Sequence, residues 1–240
     1  MKKELNQLKQ WMLLPSFLVL SFSCNKNPDN SPVVEKEINL NGFTKIYAGE
    51  RFNLNITKGD NFYIKVNGPS DTVNDIDWNV ASNILNIQYK HYVANRPKVD
   101  VIINLPLLIQ VNLSGAATGI INGFHDVNNI IRTVLSGGSK CTLNGTGINT
   151  QIDISGGAEL NVNGITESLY GNVSGGGKLN AYDLTSTEVD IATSGGSKAK
   201  VKVVHSLFAD ASGGSSIYYK GNPAVKNIVT SGGGRVIQQQ

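Results

Sequence analysis

Apolar and polar residues alternate along most of the chain, and from residue 108 onward the alternation repeats with a nearly constant period. Ser-Gly marks the repeat and recurs at intervals of 22, 19, 19, 20, 18 and 19 residues. In six of the seven units another Gly follows, and the first unit has Ala116 instead. The repeat serines are Ser114, Ser136, Ser155, Ser174, Ser194, Ser212 and Ser231. Such a period is typical of proteins built from one small repeated unit.

Aligning the chain on each serine shows which residues face inward. Apolar residues predominate one and three positions before the serine and five and seven after it, with polar residues between them. Around Ser155 these positions hold Ile154, Ile152, Leu160 and Val162. Alternation with a period of two on both sides of the glycines predicts two strands that each bury one face. Each repeat is therefore predicted to be strand, Gly-Gly bend, strand and short loop.

One such repeat cannot bury its apolar face, whereas stacked copies form a continuous core. Because equivalent residues recur once per repeat, parallel stacking places like residues over like. The pattern favours an all-β fold in which residues 108–240 form a single-stranded parallel β-helix, or β-solenoid, of about seven short turns, called rungs below. An antiparallel arrangement is the alternative, since a Gly-Gly link also closes hairpins.

The glycine after each repeat serine is predicted to form the corner between the two strands. Glycine has no Cβ and adopts positive φ at a sharp bend without a clash. The predicted structural corners are Gly137, Gly156, Gly175, Gly195, Gly213 and Gly232. Glycine amides also bind phosphate, but seven copies without a Gly-x-x-x-x-Gly-Lys-Ser/Thr motif favour a structural role.

Residues 38–107 also alternate as strands, without the Ser-Gly period. Phe52 to Lys58 and Phe62 to Asn67 flank Gly59-Asp60, which predicts a hairpin. We expect this N-terminal β region to pack on, or lead into, the first rung and to cover the apolar end of the solenoid, because solenoid ends need covers.

The start of the chain predicts export. Three lysines within the first nine residues precede a ten-residue stretch, Trp11 to Leu20, that is apolar except for a Pro-Ser pair. It is too short to span a bilayer and suits a secretory signal. Small residues before Cys24 resemble a bacterial lipoprotein cleavage site, so we predict a signal peptide over residues 1–23 and lipidation of Cys24. Residues 24–37 would be the anchor and a polar tether. The alternative is an ordinary signal peptide with an incidental cysteine.

Composition narrows the class of protein. With 40% hydrophobic residues the chain can build a core, and with 26 Gly and 2 Cys in 240 residues it is neither collagen nor a disulfide scaffold. Residues 1–23 contain three of the 21 basic and one of the 18 acidic residues, so the remainder carries 18 basic and 17 acidic. This near-neutral balance gives no reason to expect a nucleic acid as partner.

An exported chain with an N-terminal β region followed by repeated Ser-Gly-Gly units resembles the family named putative auto-transporter adhesin, head GIN domain. That family is a domain of unknown function common in Bacteroidetes-type lipoproteins. The resemblance covers roughly residues 38–235 and is carried by the Ser-Gly-Gly units that begin at Ser136, Ser155, Ser174 and Ser194. It implies a right-handed β-helix and export, and it brings no catalytic or ligand-binding residues.

Candidates for catalysis and metal binding are sparse. The three histidines, His91, His125 and His205, are far apart in sequence, and Cys141 falls at an inward position. We therefore predict no metal site and no cofactor.

Outward carboxylates are the remaining catalytic candidates. Asp190 and Asp210 fall on neighbouring rungs, two positions out of register, and Asp153 lies farther away. Glycan-cleaving β-helices place carboxylates on adjacent coils, and one loose pair is weak support for such an enzyme.

The outward positions of the second strand carry the most coherent charge pattern, with seven basic residues against one acid, Glu159. They are Lys140, Lys178, Lys198, Lys200, Lys202, Lys220 and Arg235. Stacked rungs would gather them on one face, which could bind anionic glycan, lipid head groups or an acidic protein. The other interpretation is a solvated face that keeps the rod soluble. Nearby asparagines could bind sugar hydroxyls or form structural ladders.

Together these patterns predict a non-enzymatic, exported lipoprotein of the bacterial cell envelope with an adhesive or glycan-binding role. A polysaccharide-cleaving β-helix enzyme and a purely structural envelope rod are the alternatives. The expected partners are a membrane, reached through the lipid anchor on the periplasmic side or the outer surface, and an anionic glycan or surface polymer.

Overall fold

The computed structural model describes residues 30–145 and 147–240, which form eighteen strands and one short helix, α1 (Ser70–Asn74). Cys24 and the predicted signal peptide lie outside the described residues. Within the described part no helix is long and apolar enough to cross a membrane. The strands before the repeats are β1 (Val33–Glu37), β2 (Lys45–Ala48), β3 (Phe52–Lys58), β4 (Tyr63–Pro69), β5 (Ile76–Ala81), β6 (Ile84–Tyr89) and β7 (Val99–Leu105). Those of the repeats are β8 (Gln110–Leu113), β9 (Thr118–Asn122), β10 (Asp126–Leu135), β11 (Lys140–Asn144), β12 (Gly147–Ile154), β13 (Glu159–Val173), β14 (Lys178–Thr193), β15 (Lys198–Ala211), β16 (Ser216–Lys220), β17 (Val225–Thr230) and β18 (Arg235–Gln238).

The repeats form a β-solenoid of about seven turns, as predicted. Strand segments that precede a corner pair in parallel with one another, and so do segments that follow a corner; we call these the first-strand stack and the second-strand stack. The long strands β13, β14 and β15 contribute to both, since each begins after one corner and ends before the next. Leu113, Leu135 and Ile154, each one residue before a repeat serine, lie side by side. Like residues therefore stack on like, and the antiparallel alternative is wrong.

The predicted corner glycines lie at the bends between the two stacks. All six have φ between 55° and 70°. A Cβ on Gly156 would lie 2.9 Å from the carbonyl oxygen of Gly137 on the neighbouring rung. The amide of Gly157 donates a hydrogen bond to that same oxygen at 2.7 Å. Backbone thus packs directly on backbone along the corner line, which leaves no room for a side chain.

The N-terminal region adds two further rungs to the same stack, out of chain order. Strands β2 and β3 pair in parallel with β8 and β9, and on their other side with β6 and β7. The link between β2 and β3 stacks on the first repeat corner: the Gly115 position lies against the backbone of Glu50, which itself has φ 52°. Because this rung has Gly49-Glu50 in place of Ser-Gly, the repeat period does not reveal it.

Antiparallel strands cover the outer edge of these rungs. β4 pairs with β7, β1 pairs with β4, and β5 pairs with β6. The hairpin predicted at Gly59-Asp60 is wrong, because β7 lies between β3 and β4, parallel to the former and antiparallel to the latter. The Gly59 amide instead donates to the carbonyl of Leu105 at 3.1 Å.

One continuous core runs through all the rungs, and its composition changes along the axis. Alanines occupy many inward positions of the later repeats, which suits a thin interior. At the N-terminal end the core is aromatic: Phe43 lies 4.9 Å from Phe62, and Phe52 stacks on Tyr89 with ring centroids 4.5 Å apart. The largest buried side chains therefore lie in the N-terminal part of the core.

Candidate anion-binding face

The seven basic residues predicted to share a face belong to three columns of the second-strand stack. Four of them are in the first column, which runs Thr118, Lys140, Glu159, Lys178, Lys198, Ser216 and Arg235 from rung to rung. Lys200 lies two residues farther along its strand, paired with Tyr218. Lys202 and Lys220 pair with each other two residues beyond that.

Five of the seven lie close together. Rungs are about 4.8 Å apart and alternate residues of a strand about 6.7 Å apart, so the backbone positions of the five span roughly 13 Å by 10 Å. Glu159 separates Lys140 from this group, and Ser216 separates Arg235 from it. We call the group the basic cluster; it consists of Lys178, Lys198, Lys200, Lys202 and Lys220.

The rings of two tyrosines lie close to the ammonium groups of three of these lysines. The Lys200 and Lys220 ammonium groups lie 5.8 Å and 5.2 Å from the ring centroid of Tyr182, and that of Lys198 lies 5.6 Å from Tyr218. Cation–π attraction restrains ammonium groups at such distances. The alternation along each strand does not by itself place these tyrosines in the basic cluster. Their offsets from the repeat serine would have done so, since Tyr218 matches Lys200 and Tyr182 matches Lys202.

The charges of the basic cluster are not neutralised by ion pairs within the described residues. The ion pairs found there involve Lys65, His91, Arg96 and Arg132. Glu159, the acid beside Lys178, accepts a hydrogen bond from Asn180 at 3.3 Å. Partial burial, and then the neighbouring Tyr218 phenol, raise the pKa of Tyr182. Tyr182 is therefore neutral at physiological pH and does not offset the lysines.

The asparagines beside the cluster form ladders. Asn144 donates to Asn122 at 2.9 Å, Asn163 donates to Asn144 at 2.7 Å, and in a second column Asn180 donates to Asn161 at 2.9 Å. These bonds tie neighbouring rungs together, so of the two interpretations of the asparagines the structure shows the ladder.

The carboxylates on the first-strand stack are arranged as the repeat register predicts. Asp190 pairs with Phe208, and Asp210 pairs with Ala192, which puts the two acids two positions out of register. Asp153 is held by Arg132 at 2.7 Å. The described residues contain no group of three or more His, Cys, Asp or Glu that could hold a metal ion.

The other candidate side chains are dispersed. His125 and His205 are exposed, and His91 lies 2.6 Å from Asp75 at the N-terminal end. Burial raises the pKa of the Cys141 thiol to about 12, so the thiol stays protonated and unreactive.

Comparison with known proteins gives one family. The family model described as putative auto-transporter adhesin, head GIN domain, matches residues 42–223. No curated protein matches the chain.

Several solved structures have the same fold. A putative adhesin from Bacteroides fragilis superposes with a TM-score of 0.78 at 19% identity, over 89% of this chain and 100% of that one. A putative adhesin from Parabacteroides distasonis gives 0.66 at 18% identity, over 88% and 99%. A protein from the same species described as a putative lipid binding protein gives 0.68 at 18% identity, over 89% and 99%. At these identities the likeness concerns the fold.

Proposed function

The chain belongs to the family of the putative auto-transporter adhesin, head GIN domain, and on that premise we propose that it is an exported, non-enzymatic binding protein of the bacterial envelope. In this proposal a lipid on Cys24 anchors it to a membrane, and the basic cluster holds an anionic polysaccharide of a cell surface. The adhesin descriptions of the family and of its solved relatives support a binding role over an enzymatic one.

The basic cluster is the observation that carries the proposal. Five ammonium groups share one face without an ion pair in the described residues, and tyrosines restrain three of them. Charges repeated at the rung spacing suit an extended polyanion more than a compact metabolite. Three of the lysines are exposed, and Lys200 and Lys220 are partly exposed. Binding is therefore weak per contact and strongly screened by salt, since the Debye length is about 8 Å at physiological ionic strength.

Retention on immobilised alginate, a polyuronate, tests the ligand. We expect the change of Lys198, Lys200 and Lys202 to Gln to abolish most retention at low salt, and about 0.5 M salt to do the same for the parent protein. The matched control changes Lys36, Lys58 and Lys98 to Gln, which removes the same charge from exposed positions of the N-terminal region. This control should retain nearly all of the binding.

Three outcomes would contradict the proposal. Equal loss in the two triple variants would indicate a response to net charge alone, and retention that ignores salt would exclude the lysines. Failure of the parent protein to bind alginate would exclude the polysaccharide, and failure to bind anionic vesicles as well would favour the structural rod. Vesicles of phosphatidylglycerol form the comparison arm, because one solved relative is described as lipid-binding; binding to vesicles without binding to alginate would replace the polysaccharide by a lipid.

Fractionation of cells tests the anchor. Replacing Cys24 with Ala should move the protein from the membrane fraction to the soluble fraction, because a thioether-linked lipid can no longer form. An unchanged membrane fraction would show that the lipoprotein interpretation is wrong.

A further inference from the structure

A second cluster with a different character lies on the first-strand stack of the same rungs. Tyr170, Asp190 and Phe208 occupy equivalent positions of β13, β14 and β15 and are paired side by side. Glu188 lies two residues before Asp190, on the same side of β14, between Ser168 and Ser206. An aromatic ring thus stands on each side of a rung that carries two carboxylates.

The side chains enclose a shallow groove of about 240 Å³. Ser168, Tyr170, Glu188, Asp190 and Phe208 line it. Phe208 is 41% exposed, and both acids are exposed. At about 4.8 Å per rung the two aromatic positions are roughly 9.6 Å apart, so a group held midway would lie within the roughly 6 Å over which a ring attracts a cation.

The two carboxylates have no positive partner in the described part of the chain. Neither Glu188 nor Asp190 takes part in an ion pair there. The residues beside the aromatic pair in register are uncharged: Gln151 next to Tyr170 and Asn227 next to Phe208. Asp210, two residues beyond Phe208, adds a third negative charge. The groove therefore combines ring faces with an unneutralised negative charge, which is the chemistry that recognises an organic cation.

We propose that this groove is a second binding site, in which an organic ammonium group lies between the rings of Tyr170 and Phe208 and is neutralised by Asp190, with Glu188 beside it. The ligand class is a compact organic ammonium: either a quaternary ammonium that bears methyl groups or a primary ammonium attached to a sugar ring. Such a group occurs in choline head groups and in amino sugars, which share the chemistry that the groove recognises. The site is independent of the basic cluster, which lies on the other stack, so either site can fail without the other.

NMR titration of the labelled protein tests the site, with choline and glucosamine as probes and uncharged N-acetylglucosamine as the matched control. We expect saturable shifts at amides of residues 168–170, 188–190 and 206–208 with choline, glucosamine or both, and none with N-acetylglucosamine. Choline alone would identify a head-group-like ligand, and glucosamine alone an amino sugar. Asp190→Asn and Phe208→Leu should each weaken binding about five- to tenfold. The Lys198, Lys200 and Lys202 triple variant should bind as the parent does.

Thermal melting of each variant separates loss of the site from loss of the fold. Absence of saturable shifts in the parent protein would overturn the proposal. So would equal binding of glucosamine and N-acetylglucosamine, because the charge would then be irrelevant. Unchanged affinity in folded Asp190→Asn and Phe208→Leu variants would place any binding elsewhere and would also overturn it.

Discussion

The two ends of the solenoid meet the same problem in different ways. Any stack of rungs exposes backbone edges and apolar side chains where it stops. At the N-terminal end two out-of-order rungs and antiparallel cover strands enclose a core in which Phe43, Phe52 and Ile46 are fully buried. At the C-terminal end β17 is exposed along its whole length, and Ile228 in an inward column is 43% exposed.

The N-terminal end is closed by rings and by a buried charge pair. Tyr89 stacks on Phe52, and the Arg96 guanidinium lies 4.0 Å from the centre of the Tyr89 ring. Arg96 is only 5% exposed and bonds to Asp75 at 2.7 Å, while Asp75 also contacts His91 at 2.6 Å. A buried cation is tolerated only with such partners.

The C-terminal end changes the polarity of the inward columns. The column of Leu169, Val189 and Leu207 ends in Lys226, and the column of Val201 and Tyr219 ends in Gln238. The Gln238 side chain contacts the Tyr219 hydroxyl at 3.2 Å and donates to the Gly221 carbonyl at 2.8 Å. One end therefore hides apolar surface under added strands, whereas the other reduces the apolar surface that needs hiding.

Truncation of one inward residue at each end gives the largest expected difference. Phe52→Ala should lower the free energy of unfolding by about 3–5 kcal/mol, because it leaves a cavity under Tyr89. Ile228→Ala, the counterpart at the open end, should cost less than about 1 kcal/mol, since its side chain is already partly in water. Urea denaturation measures both; equal losses would show that the ends are packed alike.

Substituting the corner glycine in a middle rung and in the last rung tests whether the corner is packed as tightly at the C-terminal end as in the middle of the solenoid. Gly156→Val should cost about 1–3 kcal/mol, because it forces a β-branched residue into positive φ with its Cβ 2.9 Å from the Gly137 oxygen. Gly232→Val, on the last rung, should fall at the low end of that range, since the nearest atom is 3.3 Å away. Ser155→Ala is the control and should change thermal melting far less. A Gly156→Val protein of parental stability would contradict the corner assignment.

Acid should act on the N-terminal end through Asp75. Burial alone would raise the pKa of Asp75, but hydrogen bonds from His91 and the charge of Arg96 outweigh it and hold the pKa below its ordinary value. The carboxylate therefore stabilises the fold fully above about pH 4 and ceases to do so as pH falls through the lowered pKa. The difference in melting temperature between the parent and Asp75→Asn should be largest at pH 5 and should shrink toward pH 2. Asp60→Asn, at an exposed loop, is the control; a difference that stays constant over this range would exclude the effect.

For the repeats, the sequence pattern was enough to predict both the inward-facing residues and the parallel stacking of the strands. Each inward column, such as Leu113, Leu135 and Ile154, can be read from the distance to its serine, and only parallel stacking satisfies all columns at once. The same offsets predict that Asp190 and Asp210 fall two positions out of register. In a repeat protein each strand pairs with the equivalent strand of the next repeat. The period therefore predicts the pairing partner as well as the strand.

Only the tertiary structure decided how the non-repeating part pairs and which lysines meet. Alternation predicts that β3, β4 and β7 are strands with one buried face, but it does not say that β7 inserts between the other two, because pairing across many residues depends on the whole stack. Likewise Glu159 and Ser216 divide the predicted basic face. The serine offsets match Tyr182 to Lys202, but the register shifts after Ala181, so Lys202 pairs with Thr185 and the Tyr182 ring lies near Lys200 and Lys220 instead. The sequence by itself determined which residues face inward, while the three-dimensional stack decided their neighbours.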